Sequence, residues 1–129
     1  MTLVNIVTPS FNQARFLEET MLSVLHQDYP HIEYIVVDGG STDGSVDIIR
    51  RYADRLAWWV SEPDRGQTDA INKGFAHAHG EILAWLNSDD TYQPGAVRAA
   101  VEALEKHPEA AMVYGDAHYI DENGRVIGR

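Results

Sequence analysis

No cysteine occurs among the 129 residues, so neither a disulfide framework nor a thiolate metal site can form. That absence fits the cytoplasm, the expected location, with attachment to a membrane surface left open. Basic residues are scarce, with 10 Lys and Arg against 20 Asp and Glu and a formal net charge of −10. So acidic a chain lacks the clustered cations that phosphate backbones require, and nucleic acid is excluded as an expected partner. A ligand carrying phosphate would need a metal ion, not a basic patch, to offset its charge. No apolar run reaches the length of a membrane span, and the start, Met1-Thr2-Leu3-Val4, lacks the pattern of a signal peptide. Repeats and low-complexity stretches are also missing. What remains is a length suited to one domain, residues 1–129, large enough to bury a core.

The apolar runs alternate between strand and helix patterns. Val4 to Thr8 reads as a first strand stopped by Pro9, which has no N–H for a ladder. Ser10 or Asn12 is suited to capping the helix that follows, whose apolar stripe is Leu17, Met21, Val24 and Leu25. Ile32 to Val37 is a second strand, and Val46, Ile49 and Tyr52 mark one face of a second helix. Leu56 to Val60 is a third strand. A third helix from about Thr68 turns Ile71, Gly74, Phe75 and Ala78 inward and ends at Gly80, placed as a left-handed cap. Ile82 to Leu86 follows as a strand buried on both faces. A fourth helix carries Val97, Ala100, Val101 and Leu104, then Ala111 to Tyr114 reads as a fifth strand. Asn123-Gly124 signals a hairpin between Tyr119–Asp121 and Arg125–Ile127. Such alternation predicts an α/β fold with a mostly parallel, doubly wound sheet.

Three strands end in polar residues, at Thr8-Pro9, at Val37-Asp38 and at Leu86-Asn87-Ser88-Asp89-Asp90. In a parallel sheet those ends share one edge, the edge at which open α/β sheets bind ligands. The adjacent carboxylates of Asp89 and Asp90 repel each other and need solvent, hydrogen bonds or a cation. A hard divalent ion completed by substrate phosphates and water would suit them, while an acidic loop capping the next helix is the plainer alternative. Asp38 opens into Gly39-Gly40, where glycine permits unusual backbone geometry and close ligand approach. Its carboxylate could accept an N–H of uracil, thymine or guanine, whereas Asp43 suits the N-cap of the second helix. Asp69 and Lys73 stand at i,i+4, the spacing of an ordinary surface pair. The six histidines show no metal-ligand spacing and read as solvated or packing residues, and Trp58 and Trp59 read as sheet-face residues.

Taken together, four stretches resemble the family 2 glycosyltransferases. They are Ile6-Val7-Thr8-Pro9-Ser10-Phe11-Asn12, Val36 through Ser45, Glu62 through Gly74, and Leu86 through Asp90. The resemblance implies a three-layer αβα fold of the glycosyltransferase A type, with strand order 3-2-1-4 and a C-terminal hairpin. It implies that Thr8, Pro9, Phe11 and Asn12 line a nucleotide pocket and that Asp38 holds the base. Asp69 and Lys73 match positions near the base and diphosphate, and Asp89 the carboxylate near the ribose and donor sugar, with Asn87 and Ser88 also in the nucleotide-sugar site. Asp90 matches the ligand of a divalent cation, Mn²⁺ or Mg²⁺.

The implied donor is a UDP-, dTDP- or GDP-linked sugar, and the implied reaction an inverting transfer to an acceptor hydroxyl in polysaccharide or glycoconjugate assembly. Two departures from the family pattern stand out. Asn87 replaces an Asp found in many members, removing one charge but keeping hydrogen bonds. Family members also continue past the acidic motif into an acceptor-binding half that carries the catalytic base; besides Glu122 the only late carboxylates are Asp116 and Asp121, and neither sits in a motif that matches that base. A non-catalytic nucleotide-sugar-binding or interaction module is therefore the alternative, and an uncovered apolar face would favour a homodimer.

Overall fold

In the computed structural model the described residues are 2–109, together with the backbone of 119–120 and 126–128. The expected strand Ala111 to Tyr114, the Asn123-Gly124 turn and the late carboxylates lie outside them. Backbone contacts divide the chain into two units, Met1–Arg98 and Ala99–Arg129.

The first unit holds four parallel strands, β1 (Val4–Ser10), β2 (Ile32–Asp38), β3 (Trp58–Ser61) and β4 (Ile82–Trp85). Their order is β3-β2-β1-β4, which places the topological switch between β1 and β4. Three α-helices connect them, α1 (Ala14–Leu25), α2 (Ser45–Arg51) and α3 (Gln67–Phe75), with a short 3-10 turn at Ala53–Arg55 before β3. A fourth, α4 (Ala96–Lys106), spans the boundary between the units. In the second unit β5 (Tyr119–Ile120) pairs antiparallel with β6 (Val126–Gly128), as the hairpin signal predicts.

Alternation along the strands builds the core. Val7, Ile35 and Val37 are fully buried on one face, packed with Ala70 and Phe75 of α3 and with Trp58 and Val60. Truncating such a residue to alanine typically costs 2–5 kcal/mol, on the order of a third of a domain's whole stability. Gly74 brings the α3 backbone directly onto β1, since a Cβ there would stand 2.5 and 2.7 Å from the methyls of Val7. On the helix side, Leu17, Met21 and Val24 of α1 are buried as the apolar stripe predicts, and Thr20 is buried among them.

Several expectations are corrected. β1 does not stop at Pro9 but runs to Ser10, pairing Pro9 with Val37 and Ser10 with Asp38. The Val7 carbonyl accepts from Leu86, whereas the Ser10 carbonyl accepts from Gly39, so odd positions face β4 and even ones β2. Pro9 therefore turns its missing N–H toward β4, whose pairing with β1 ends at Val7. Gly80 is not a left-handed cap, because α3 ends at Phe75 and Gly80 has no positive φ. A Cβ at Gly80 would stand 2.6 Å from the Leu3 carbonyl oxygen, so close backbone approach is what selects glycine there. β4 is not buried on both faces: Leu83 and Trp85 are 52% and 54% exposed, on the strand that ends the sheet order among the described residues. His77 is a packing residue, stacked on Trp58 with ring centroids 3.6 Å apart.

Candidate functional site

β1 and β2 bring Pro9 through Asn12 and Asp38 through Ser41 to the same sheet edge, with Ser10 directly beside Asp38 in register. The Asp38 side chain is fully buried and fully engaged. Its Oδ2 accepts from the Gly40 N–H (3.1 Å), the Ser41 N–H (2.8 Å) and Ser61 Oγ (2.8 Å), and its Oδ1 from Ser41 Oγ (2.6 Å). Four donors on one carboxylate approach its full acceptor capacity. The turn that β2 opens into is thus folded around Asp38, and Ser61 at the end of β3 ties in a third strand. Gly39 and Gly40 serve close packing of the protein on itself. A Cβ at Gly39 would stand 3.0 Å from an Asp64 carboxylate oxygen, and one at Gly40, whose φ is +90°, 3.4 Å from the Pro63 nitrogen.

The loop after β1 is bound to the same turn. Asn12, at φ +50°, donates its N–H to Ser41 Oγ (2.8 Å) and accepts from the Thr42 N–H through Oδ1 (2.9 Å). Neither Ser10 nor Asn12 caps α1. The Ala14 N–H donates instead to Oδ2 of Asp43 (2.9 Å), whose Oδ1 accepts from the Ser45 N–H and hydroxyl at the start of α2 (3.1 and 2.6 Å). Asp43 therefore serves the N-termini of two helices, and hydrogen bonds led by that of the Ser45 side chain hold its carboxyl below the usual value. Phe11 is 59% exposed at this edge, open to a planar ligand. Thr8 is not: it lies wholly inside, its hydroxyl 2.7 Å from that of Tyr34, on the sheet face opposite the one on which Val7 packs with Ala70.

Beyond β4 the backbone turns at Asn87–Asp90, closed by the Asp90 N–H on the Asn87 carbonyl (3.1 Å). Ser88 is buried, whereas Asp89 and Asp90 are exposed. Although Asp90 is exposed as a residue, its carboxyl lies partly against protein. That desolvation, then the like charge of Asp89, pushes its pKa up, opposed by the Asn87 side chain. No cation among the described residues forms an ion pair with either carboxylate. The start of α3 faces this loop, with the Gln67 amide hydrogen-bonded to Oδ1 of Asn87.

On α3, Asp69 accepts from the Arg65 N–H (2.9 Å), closing the turn into the helix. Lys73 sits 3.2 Å from Glu62 and 4.0 Å from Asp69, the surface pair of the plainer reading extended by a second carboxylate. Sequence reasoning passed over Ser41, Ser61, Asp64 and Gln67. Ser61 carries no local signal, since its partner lies 23 residues upstream. Gln67, directly after a glycine at a helix start, was open to suspicion.

Two adjacent, exposed carboxylates without cationic partners fit a hard divalent ion. Among the described residues no group of three or more His, Cys, Asp or Glu side chains could hold one alone. Ligand oxygens and water would have to complete the shell, as they do where Mg²⁺ or Mn²⁺ is bound with a diphosphate.

A parallel sheet with such a pair beyond its switch point has the architecture of α/β domains that take ligands at that crevice. The chain belongs to glycosyl transferase family 2, whose family model matches residues 5–128. An uncharacterized glycosyltransferase of Mycobacterium tuberculosis is 42% identical over 114 residues, covering 87% of this chain and 44% of its own length. TuaG of Bacillus subtilis, named for teichuronic acid biosynthesis, is 38% identical over 79% of this chain and 42% of itself. The mannosyltransferase PcManGT of Pyrobaculum calidifontis, solved with GDP-Man and Mn²⁺, superposes with a TM-score of 0.73 at 34% identity, covering 80% of this chain and 32% of that one. The chain thus spans less than half the length of each of these relatives, and its fold is that of the glycosyltransferase A class. No helix among the described residues is long and apolar enough to cross a membrane.

Proposed function

We propose that this chain is the donor-binding part of an inverting glycosyltransferase, which moves a sugar from a nucleoside-diphosphate sugar to an acceptor hydroxyl in polysaccharide or glycoconjugate assembly. The observation that carries this reading is the convergence of the β1, β2 and β4 ends on one edge, with exposed carboxylates at the last that have no cationic partner among the described residues. The nucleotide lies over the Pro9–Asn12 loop and the turn built on Asp38, with Phe11 beside the base. Asp38 acts chiefly by shaping that turn, because a direct bond from a base N–H requires Ser41 to move aside from Oδ1. Lys73 reaches the diphosphate by exchanging Glu62 for phosphate oxygens, with Asp69 steadying the helix start. Asn87, Ser88 and Asp89 face the ribose and sugar, and Asp90, with Asp89 beside it, holds Mn²⁺ or Mg²⁺. A bound cation of this kind would act as a Lewis acid on the leaving diphosphate.

In the reaction the acceptor oxygen bonds to the anomeric carbon from the face opposite the diphosphate, and the carbon–oxygen bond to the diphosphate breaks. The acceptor proton passes to a base that is none of the residues assigned here. GDP-Man and Mn²⁺ in the mannosyltransferase and the teichuronic acid name of TuaG support the donor class and the setting. Calorimetric titration with UDP, GDP and dTDP, each with and without Mn²⁺, tests the donor site. Metal-dependent binding of one of them is the expected result, and silence from all three would leave the interaction-module reading in its place.

A further inference from the structure

Residues 86–95 join β4 to α4, and from Asp90 onward the segment has no strand partner, so its backbone polar groups need partners from elsewhere. One stripe of α1, with Gln27 just beyond its C-terminal end, supplies them. Thr20 Oγ1 donates to the Asp90 carbonyl (2.6 Å), and Ser23 Oγ accepts from the Tyr92 N–H (3.1 Å). The Gln27 amide uses both ends, donating to the Gln93 carbonyl (2.9 Å) and accepting from the Val97 N–H in the first turn of α4 (3.1 Å). Thr20 and Ser23 follow the i, i+3 spacing of one helix face, and Gln27 lies two residues past the end of α1 at Leu25. Thr20 is fully buried, and it interrupts an otherwise apolar stripe of Leu17, Met21 and Val24. A hydroxyl is an unexpected choice there unless its partner matters.

That partner is the peptide of the carboxylate assigned to the metal. Asp90 is held at both ends of its backbone, by its N–H on the Asn87 carbonyl and by its carbonyl on Thr20. With the main chain fixed, the side chain retains only its own torsions, and a cation meets a ligand already placed.

We propose that α1 is a clamp on the acidic loop and that Thr20 is a positioning residue for metal-dependent donor binding. This rests on the donor-site reading above. It adds a residue of α1 to a site otherwise made from strand ends and α3.

The test compares the unaltered chain with Thr20→Val, which keeps the shape and removes the hydroxyl, and Thr20→Ser, which keeps the hydroxyl. Mn²⁺ is titrated in the presence of saturating UDP or GDP, whichever binds, and melting temperatures are recorded alongside. The expected result is about tenfold weaker Mn²⁺ binding in Thr20→Val, the scale seen when a group that orients a metal ligand is removed. Thr20→Ser should recover affinity to within about twofold of the unaltered chain. A purely structural role would lower the melting temperature in both variants without that split. Should Thr20→Val not fold, Ser23→Ala removes the next rung from a half-buried position and should weaken Mn²⁺ binding about threefold. Equal Mn²⁺ affinities for Thr20→Val, or for Ser23→Ala where that replaces it, and the unaltered chain would overturn the clamp while leaving the donor site standing. Failure of the unaltered chain to bind any nucleotide would overturn both.

Discussion

The ends of β2 and β4 look alike in sequence, each an apolar strand running into aspartate, yet the structure treats their carboxylates in opposite ways. At the end of β2, Asp38 is fully buried and takes four hydrogen bonds from Gly40, Ser41 and Ser61. At the end of β4, Asp89 and Asp90 are exposed and lack any cationic partner among the described residues. A buried carboxylate with all its donors supplied is part of the fold. An exposed pair of like charges carries an electrostatic cost that a cation can reverse. Donor count, not proximity to the sheet edge, separates the two.

The contrast breaks most readily at Asp38. Its replacement by alanine leaves the Gly40 and Ser41 N–H groups and the Ser61 hydroxyl without an acceptor, and should cost on the order of 3 kcal/mol in denaturant unfolding. A loss below about 1 kcal/mol would show that the turn is not built on Asp38. Next in size is the effect of ligand: at about one hundred times its dissociation constant, Mn²⁺ with the cognate nucleoside diphosphate should raise unfolding free energy by about 2.7 kcal/mol. The same addition should do nothing for a chain lacking Asp90.

Asp43 lies between the extremes, exposed yet hydrogen-bonded through both oxygens. Asp43→Ala should cost about 1 kcal/mol, the typical value for a lost helix cap, and here two helix starts share it. Its carboxyl is depressed in the folded state, so the stabilisation is complete above the unfolded carboxylate value and is lost as pH falls through the folded one. Asp90 has the opposite sign. Raised in the folded state, it makes the fold less stable as pH rises from the ordinary carboxylate value through the raised one. Removing metal-free repulsion by Asp89→Asn should accordingly leave stability unchanged or improve it by a few tenths of a kcal/mol, the smallest effect in the series.

Much of this arrangement was legible in residue order. The β–α alternation, the sheet-edge convergence and the antiparallel pairing near the C-terminus follow from periodicity and turn residues, which are local. Pro9 misled because the rule against proline in a strand holds only where the N–H has a strand to face. Gly80 misled because a glycine after a helix satisfies either a positive φ or a close approach, and only the packing against Leu3 tells them apart. The buried reading of β4 failed because large apolar residues do not disclose a strand's place in the sheet order. Asp38 was found, but the Ser61 hydroxyl that helps saturate it comes from another strand. The cap of α1 likewise comes from Asp43, 29 residues away. Long-range partners of polar atoms are what local pattern leaves out.

The decisive measurement is Mn²⁺-dependent binding of UDP, GDP and dTDP to the unaltered chain and to Asp90→Asn, with denaturant unfolding of both metal-free proteins. Asp90→Asn keeps the shape of the side chain and removes its charge. The account predicts that metal-dependent binding is lost while metal-free stability is retained or slightly raised. Binding that survives in Asp90→Asn, or a loss of stability comparable to that of Asp38→Ala, would contradict it.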